Sequence, residues 1–294
     1  MNNTIETSFP EFRFKKSEGL HQYLFRYACM CANEDIDSEE LECHMIECAS
    51  LLDYHRDVPD REIITTIENA YRIASDEKPK PTHRRPAYRP GAAKMIAKEF
   101  GTTVEDLKAS SPITPPLDPG EALAALFGPE ELVCLARKLE WAKTLPIAHW
   151  LELDDQLKHY QFVVPNPMTS RIGVTKDGRR SSRTASNTGQ RRRIVCDFDK
   201  PKPGIQPALI AYLSDYCGED PELVLTSGGK SLHAWWRIDH WPPEDIIFFE
   251  EEAGRIGADP HLLGDASKCQ LVRLPAGKRN NGNPQSILFW NPKN

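Results

Sequence analysis

The sequence predicts a protein of the α/β or α+β class, in which a small helical module precedes a larger domain that contains a sheet. Residues 14–74 show the three- and four-residue apolar spacing of amphipathic helices. Residues 75–118 are rich in proline, which is typical of a linker carrying short helices. From about residue 148, apolar runs of strand length alternate with helical segments, so residues 119–294 are predicted to form the sheet domain.

The helical module is predicted to be a bundle of three short helices. The first carries an apolar stripe that runs from Leu20 to Cys31. Asp37 or Ser38 can cap the second helix, and Pro59 can open the third.

Four cysteines and two histidines of this module raise the question of a zinc site. They are Cys29, Cys31, Cys43 and Cys48, with His44 and His55 nearby. Their spacing lacks the paired C-x₂-C of zinc-binding motifs, and most of them fall within predicted helices. Because buried free cysteines are common in protein cores, packing is the favoured interpretation and no zinc is expected.

Residues 75–118 are predicted to be a linker that contains short helices. Residues 75–90 contain four prolines and many charges, and helical runs follow at 91–100 and 104–108. Two more helices are predicted across 119–127 and 129–142.

The composition is that of a soluble globular protein, with 39% hydrophobic and 27% charged residues. No apolar run reaches the length of a membrane span, and the first residues lack the apolar core of a signal peptide. We therefore expect a cytoplasmic protein with no membrane partner, in which the eight cysteines are reduced thiols.

The charge distribution is uneven. A net charge of −6 excludes a uniformly basic nucleic-acid coat protein. Between residues 170 and 193, however, eight basic residues stand against one acid. The basic residues are Arg171, Lys176, Arg179, Arg180, Arg183, Arg191, Arg192 and Arg193. Such a segment is either a local binding surface for a polyanion such as DNA or a solvated charged loop.

The most informative stretch ends this basic segment. An apolar run with the character of a buried strand, Ile194 to Cys196, leads into Asp197 and Asp199. Side chains alternate along a strand, so the two carboxylates are predicted to point the same way. They repel each other unless a cation lies between them, and Mg²⁺ and Mn²⁺ prefer oxygen ligands. The alternative is a strand that ends in a solvated turn.

A second motif, Ser-Gly-Gly-Lys-Ser-Leu-His, follows a predicted strand and ends at His233. It is not a phosphate-binding P-loop, because the first glycine of that motif would fall at Val224 and a strand follows instead of a helix. We interpret it as a hairpin whose tight turn carries Lys230 and Ser231 beside the strand of His233, where backbone can approach a phosphate. The alternatives are a core histidine and an ordinary hairpin turn.

A third element supplies further acids and one unusual arginine. Asp259 or Asp265 could complete a site with three carboxylates. Arg273 interrupts an apolar strand pattern, which is rare for arginine unless it is paired or faces a ligand. An exposed turn with a salt bridge is the alternative.

These three elements together resemble the archaeo-eukaryotic primase superfamily, in particular the primase-polymerases of plasmids, phages and integrated elements. The resemblance lies in Asp197-x-Asp199, in Ser231-x-His233, in Ala258-Asp259 and in the strand Arg273-Leu-Pro-Ala-Gly277, and it covers roughly the last half of the chain. The module at 14–74 resembles the helical domain that often accompanies such primases, although there it follows the core and here it precedes it.

The resemblance implies an α+β core with an RRM-like antiparallel or mixed sheet flanked by helices. It implies that Asp197, Asp199 and Asp259, with Asp265 in reserve, hold two Mg²⁺ or Mn²⁺ ions for nucleotidyl transfer, and that His233 is also catalytic. Lys230, Ser231, His233 and Arg273 would bind the nucleoside triphosphate, and the eight basic residues of 171–193 would hold the template.

The expected function is therefore primer synthesis on single-stranded DNA from NTPs or dNTPs, beside a separate replicative helicase, since this chain has no P-loop. Two alternatives stay open at this point. One is a non-catalytic replication protein that binds single-stranded DNA, and the other is a different metal-dependent enzyme such as a nuclease.

Overall fold

The computed structural model describes residues 9–14, 20–34, 36–52, 58, 60–74 and 87–292. The chain divides into two compact units, residues 1–84 with 214–219 and residues 85–213 with 220–294. Within the described ranges, no helix has both the length and the apolar character needed to cross a membrane.

The described residues of the first unit form three helices, as the apolar spacing predicts. They are α1 (Leu20–Asn33), α2 (Ser38–Ser50) and α3 (Asp60–Ala74). The side chain of Asp37 caps α2 by accepting hydrogen bonds from the amides of Glu39 and Glu40. Both α1 and α2 pack on α3, and their apolar faces form the core of this unit.

The cysteines of this unit differ in burial: Cys31 is buried, Cys48 is half-buried and Cys43 is exposed. The Cys48 thiol is 3.5 Å from Nε2 of His44, which is 2.9 Å from the Tyr27 hydroxyl. Burial raises the pKa of Cys48, so the thiol is protonated at neutral pH. Cys31 is buried as well, and His55 lies outside the described residues.

The second unit contains six helices and ten strands among the described residues. Its helices are α4 (Pro90–Phe100), α5 (Val104–Ala109), α6 (Pro119–Leu126), α7 (Ile147–Leu151), α8 (Gln206–Cys217) and α9 (Pro243–Ile256). The last four residues of α8 belong to the first unit. Its strands are β1 (Leu132–Ala136), β2 (Ala142–Pro146), β3 (Phe162–Val163), β4 (Gly173–Val174), β5 (Arg180–Ser181), β6 (Arg193–Asp197), β7 (Leu223–Thr226), β8 (Leu232–Arg237), β9 (Val272–Arg273) and β10 (Ile287–Trp290).

Two segments differ from the sequence prediction. The residues from 87 to 118 pack on the sheet domain and do not form a free linker. Helix α5 contacts β10, the Ser111 hydroxyl accepts a hydrogen bond from the amide of Trp290, and the amide of Arg89 donates to the carbonyl of Arg255. The boundary between the units therefore lies near residue 85 and not at 118.

The helix predicted across 129–142 is wrong, because this segment holds strand β1 and the start of strand β2. The two strands pair in antiparallel register, from Leu132 opposite Pro146 to Ala136 opposite Ala142. The apolar run from Leu132 to Ala136 is as short as a typical strand, and its last four residues are buried. Periodicity alone does not separate such a run from a buried helix turn.

Two four-stranded sheets form the centre of the second unit. Sheet one has the order β2-β1-β3-β9, and sheet two has the order β10-β7-β8-β6. Every strand pair in the described residues is antiparallel, which confirms the α+β class. In sheet two, β6 and β7 flank β8, as in a β-α-β-β-α-β fold. An RRM-like sheet would place the last strand beside the first, but β10 pairs with β7, so the likeness extends to three strands only.

The two sheets share one hydrophobic core. Val195, Leu223 and Trp235 of sheet two pack in one cluster with Val133 and Val163 of sheet one. The alternate residues of β6 and β8 point the other way, so that the ring of Trp236 packs 5.0 Å from the ring of Phe249 on α9. Alternation then places Asp197 on the face of Val195 and His233 on the face of Trp235, both toward sheet one.

Candidate active site

Asp197 and His233 face each other at one end of sheet two. They are direct partners in the antiparallel pair β6–β8, and Nε2 of His233 is 3.2 Å from Oδ2 of Asp197. The geometry of this contact falls outside that of a regular hydrogen bond, so Nε2 has no hydrogen-bond partner among the described residues. The second carboxylate oxygen of Asp197, Oδ1, and Nδ1 of His233 are both buried without a hydrogen-bond partner in the described part of the chain.

The charge state of Asp197 follows from its surroundings. Burial acts to raise the pKa of this carboxyl, but the interactions with His233 and Ser231 and the charge of Arg273 outweigh it, so the pKa lies below its ordinary value. Asp197 is therefore ionised at neutral pH. An ionised carboxylate with one buried, unpartnered oxygen is suited to a cation or to a donor group of a ligand.

The Gly-Gly turn predicted from the second motif joins β7 to β8 beside this pair. The amide of Ser227 donates to the carbonyl of Ser231 at 2.9 Å, and the two hydroxyl oxygens are 3.0 Å apart. Gly228 has a φ of 70°, in the left-handed region that favours glycine. A strand, β8, follows the turn, as expected for a hairpin.

The absence of side chains at this turn leaves room for an arginine. A Cβ atom at Gly228 would lie 2.8 Å from Cδ of Arg279, and one at Gly229 would lie 2.7 Å from Nη1 of Arg279. The Arg279 side chain therefore crosses directly over the two glycines. Lys230 is exposed at the same turn.

A buried glutamine connects the turn to the loop that carries the two aspartates. Nε2 of Gln206 donates to the carbonyls of Phe198 and Pro201 at 2.9 and 3.0 Å, and to that of Lys230 at 3.2 Å. Its Oε1 accepts from the amide of Leu232 at 2.8 Å. Gln206 is fully buried at the start of α8, so one side chain fixes both sides of the candidate site.

Arg273 approaches the same place from sheet one. It pairs with Phe162 across β9 and β3, and its guanidinium carbon lies 4.6 Å from the centre of the Phe162 ring. Burial and the charge of Arg279 lower the pKa of Arg273, while Asp197 and Asp199 act to raise it. Within the described ranges, no hydrogen bond or ion pair engages the guanidinium of either Arg273 or Arg279. Two unpaired arginines beside an ionised carboxylate form a site for an anionic group.

The remaining acids differ in their relation to Asp197. Asp199 is exposed two residues after it. The amide of Asp259 donates to the carbonyl of Asp197 at 2.8 Å, and the Asp259 carboxylate accepts from the amide of His261 at 3.0 Å. Asp265 is exposed at the start of the 3₁₀ turn Asp265–Cys269. Of the two candidates for the third acid, Asp259 is the one whose backbone is tied to the Asp197 strand.

A divalent metal would find oxygen donors here. The free Oδ1 of Asp197 and the exposed carboxylate of Asp199 are the hard ligands that Mg²⁺ and Mn²⁺ prefer. In the part of the chain that the structure describes, no three histidine, cysteine or acidic side chains are already gathered around one point. The residues therefore fit a metal in the chemistry of their donors, and the third ligand is not yet in place.

Two of the three arginines at the start of β6, Arg191 and Arg193, need a correction as DNA-binding residues. Arg193 is buried and bonds the equally buried Glu222 through Nε and Nη2, and it also donates to the carbonyls of Pro165 and Leu126. Arg191 is paired with Glu250 and is also largely buried, and Arg192 is paired with Glu131. Since the charges of Arg191 and Arg193 are compensated inside the fold, these two side chains hold the strand in place and do not offer a free surface to a phosphate chain. The Arg192 side chain, in contrast, is 35% exposed beside Glu131.

The other basic residues of the segment lie on or beside the β4–β5 hairpin. Exposed side chains on this hairpin are those of Arg171, Lys176, Arg179 and Arg180. Arg183 is half-buried and donates to the carbonyl of Cys269 at 3.1 Å. Arg179 is 3.0 Å from Asp177, in a surface pair. This part of the predicted binding segment is thus accessible.

Sequence reasoning missed two residues that hold the site together, Gln206 and Glu222. Glutamine at the start of a helix resembles any polar residue there, and Glu222 stands at the start of a predicted strand, where an acidic residue is usually solvated. The only signal for Glu222 was Arg193 itself, since an arginine in a buried strand requires a partner. Comparison of the chain with protein-family models, with curated proteins and with solved structures gives no match.

Proposed function

We propose that the protein is a DNA-dependent primase or primase-polymerase that synthesises primers on single-stranded DNA by two-metal nucleotidyl transfer. The observation that carries the proposal is the ionised Asp197, with its buried free oxygen, in electrostatic interaction with the unpaired guanidinium of Arg273. Carboxylates for metal on one side and cations for phosphate on the other are what transfer from a triphosphate requires. The motif resemblance supports a role in replication of a mobile element, phage or plasmid, beside a separate helicase.

The residues divide into two groups by charge. Asp197, Asp199 and Asp259 would hold the Mg²⁺ or Mn²⁺ ions. When bound, two such ions activate the attacking 3′-hydroxyl and neutralise the leaving pyrophosphate. Asp259 would have to turn from its present contact with the His261 amide, and Asp265 stays the reserve ligand.

The second group would hold the triphosphate. Arg273 and Lys230 would supply charge-assisted hydrogen bonds to phosphate oxygens. Ser231 and His233, which follow Lys230 at the start of β8, would contact the same phosphates. Arg279 belongs with them because it crosses the glycines of the Gly-Gly turn. In the reaction, the 3′-oxygen forms a bond to the α-phosphorus, the bond from that phosphorus to the β-phosphate breaks, and pyrophosphate leaves. The hydroxyl proton passes to solvent.

A primer-synthesis assay on a single-stranded DNA circle tests the proposal. Labelled NTPs and dNTPs are supplied in separate reactions with Mg²⁺, with Mn²⁺ or with EDTA. We expect Asp197→Asn and Asp199→Asn to reduce incorporation by about 100-fold or more, since each removes charge stabilisation of the transition state. Glu130→Gln, an exposed carboxylate remote in sequence, is the matched control and should keep full activity.

Three results separate the alternatives. Incorporation that persists in both aspartate variants overturns the proposal. Binding of single-stranded DNA without incorporation under any condition indicates the non-catalytic binding protein. Loss of input DNA in the absence of nucleotides indicates a nuclease. Comparison of Asp259→Asn with Asp265→Asn assigns the third carboxylate, because only the true ligand should reduce incorporation.

A further inference from the structure

We propose that the tip of the β1–β2 hairpin, residues 137–143, binds single-stranded nucleic acid by stacking a base on Trp141 and leads the strand toward the candidate active site. Trp141 is 67% exposed, and Leu139 beside it is 56% exposed. Of the six tryptophans, all within the described residues, it is the one with an exposed side chain. A large aromatic ring kept in water at a hairpin tip contributes nothing to the core, which points to a ligand.

The charge around Trp141 favours a polyanion. Arg137, Lys138 and Lys143 are exposed on this tip, against the single acid Glu140. Nζ of Lys138 lies 5.2 Å from the centre of the Trp141 ring, so one ring face meets a cation. This concentration of positive charge stands out in a chain with a net charge of −6.

The tip adjoins the second exposed basic surface of this unit. The hydroxyl of Thr144 on β2 donates to the carbonyl of Ser182 at 2.6 Å, and the hydroxyl of Ser182 donates to the carbonyl of Ala142. These bonds dock the end of the β4–β5 hairpin against β2. The aromatic tip and the arginines of β4–β5 thus lie on neighbouring hairpins, as an aromatic platform and a phosphate-binding surface do in single-strand binders.

The strand register connects this tip to the candidate active site. Ala142, Ala136, Phe162 and Arg273 are successive partners across β2, β1, β3 and β9. With strands spaced by about 4.8 Å, the tip and Arg273 share one end of sheet one and lie about 14 Å apart along it.

A glutamine links the tip to the second unpaired arginine. Nε2 of Gln161 donates to the carbonyl of Arg137 and, at 2.8 Å, to Oδ1 of Asn280, the neighbour of Arg279. The guanidinium carbon of Arg137 lies 4.9 Å from the centre of the Tyr160 ring, which holds that charge at the edge of the sheet. Through Gln161, the tip is therefore tied to the turn that carries Arg279.

The chemistry of the tip selects single-stranded nucleic acid over other anions. Stacking needs an unpaired base, which a duplex does not offer, and phosphates satisfy the adjacent cations. An anionic membrane would bind a broad apolar face, whereas the tip exposes two apolar side chains only. The inference that the bound nucleic acid runs toward the candidate active site rests on the proposed function. The binding itself does not, because it can be measured in the absence of metal and nucleotides.

The test is fluorescence anisotropy of a labelled 20-nucleotide oligo(dT) and of a labelled hairpin duplex, in EDTA without nucleotide. We expect Trp141→Ala to weaken oligo(dT) binding by about 10-fold and to leave duplex binding unchanged within a factor of two, because stacking contributes about 1–3 kcal/mol per base. Trp141→Phe should restore most of the affinity. Leu117→Ala, which removes another exposed apolar side chain, is the matched control, since Leu117 is 93% exposed and lies outside the hairpin.

The outcomes distinguish this inference from the proposed function. Asp197→Asn should bind oligo(dT) like the unchanged protein, so a loss of primer synthesis in that variant with full binding leaves the stacking site intact. Equal affinity of Trp141→Ala and the unchanged protein for oligo(dT) overturns the inference. An equal loss of affinity for oligo(dT) and for the duplex in Trp141→Ala also overturns the inference. A third contrary result is attachment to vesicles of anionic phospholipid that depends on Trp141 while oligo(dT) binding is unaltered. Thermal unfolding of each variant establishes that it is folded.

Discussion

His233 lies directly opposite Asp197 in the antiparallel pair β6–β8, with Nε2 of the ring 3.2 Å from Oδ2 of the carboxylate. His233 is buried and Asp197 is largely buried, yet Oδ1 of Asp197 and Nδ1 of His233 have no partner among the described residues. A pair built only for stability would satisfy these atoms within the fold. We therefore regard the contact as one half of a site that a ligand completes.

The first prediction concerns the pH dependence of stability. Burial acts to raise the pKa of Asp197, but His233, Ser231 and Arg273 together lower it below its ordinary value. A carboxyl with a lower pKa in the folded protein stabilises the fold above its unfolded pKa of about 3.9, and this contribution is lost as the pH falls through the folded pKa. Asp197→Asn should therefore lower the free energy of unfolding by about 1–2 kcal/mol at pH 7 and by less at pH 3.

Urea denaturation in EDTA at the two pH values measures this difference. Asp199→Asn is the control, because its side chain is exposed and the change should stay within about 0.5 kcal/mol. If Asp197→Asn is as stable as the unchanged protein at pH 7, then the cost of burying the Asp197 carboxylate cancels its favourable interactions. The contact with His233 would then contribute little to the free energy of unfolding.

The candidate site shows which features a sequence can reveal. Alternation along a strand was enough to place Asp197 and His233 each on a strand face, and the glycines of the turn predicted the hairpin. The register that makes these two residues partners was not readable, because strand pairing depends on contacts between segments far apart in the chain. Arg273 could be identified as a candidate site residue because a charged side chain within an apolar strand is unusual.

Other features were hidden for physical reasons. A run of arginines looks the same whether its members face solvent or buried acids, and only the position of Glu222 shows that Arg193 belongs to the interior. The segment 129–142 carries both helix-forming residues and a short apolar run, and the pairing of β1 with β2 and β3 decided its structure. Tertiary pairing overrode local propensity there.

The second prediction concerns Gln206 as the residue that positions the site. Gln206→Ala removes donors to three carbonyls and leaves the buried amide of Leu232 without its acceptor. We expect a loss of about 1–3 kcal/mol in the free energy of unfolding. Hydrogen exchange of the Leu232 amide should also become faster, because the turn is no longer tied to the aspartate loop.

Gln190→Ala is the matched control for this prediction, since Gln190 is an exposed glutamine in the same unit. Its stability should be within about 0.5 kcal/mol of the unchanged protein. Unaltered exchange at Leu232 in Gln206→Ala would mean that the turn holds its position through the Ser227–Ser231 contacts alone.

The third prediction separates structural arginines from those that can bind DNA. Arg193→Met leaves the carboxylate of Glu222 buried and uncompensated, and we expect it to cost about 3–5 kcal/mol in stability. Arg192→Met breaks a pair that is partly open to solvent, with 35% of the arginine side chain exposed, and should cost about 1 kcal/mol or less. The double variant Arg193→Met with Glu222→Leu should recover most of the loss, because both buried charges are then absent.

The salt dependence of oligo(dT) binding completes this argument. A lysine or arginine that contacts a phosphate contributes about one unit to the slope of log affinity against log salt. Arg180→Ala should reduce that slope, because Arg180 is exposed on the β4–β5 hairpin, whereas the Arg193→Met, Glu222→Leu protein should keep it. A reduced slope in the double variant would place Arg193 at the DNA after all, and would require the strand end of β6 to open when the template binds.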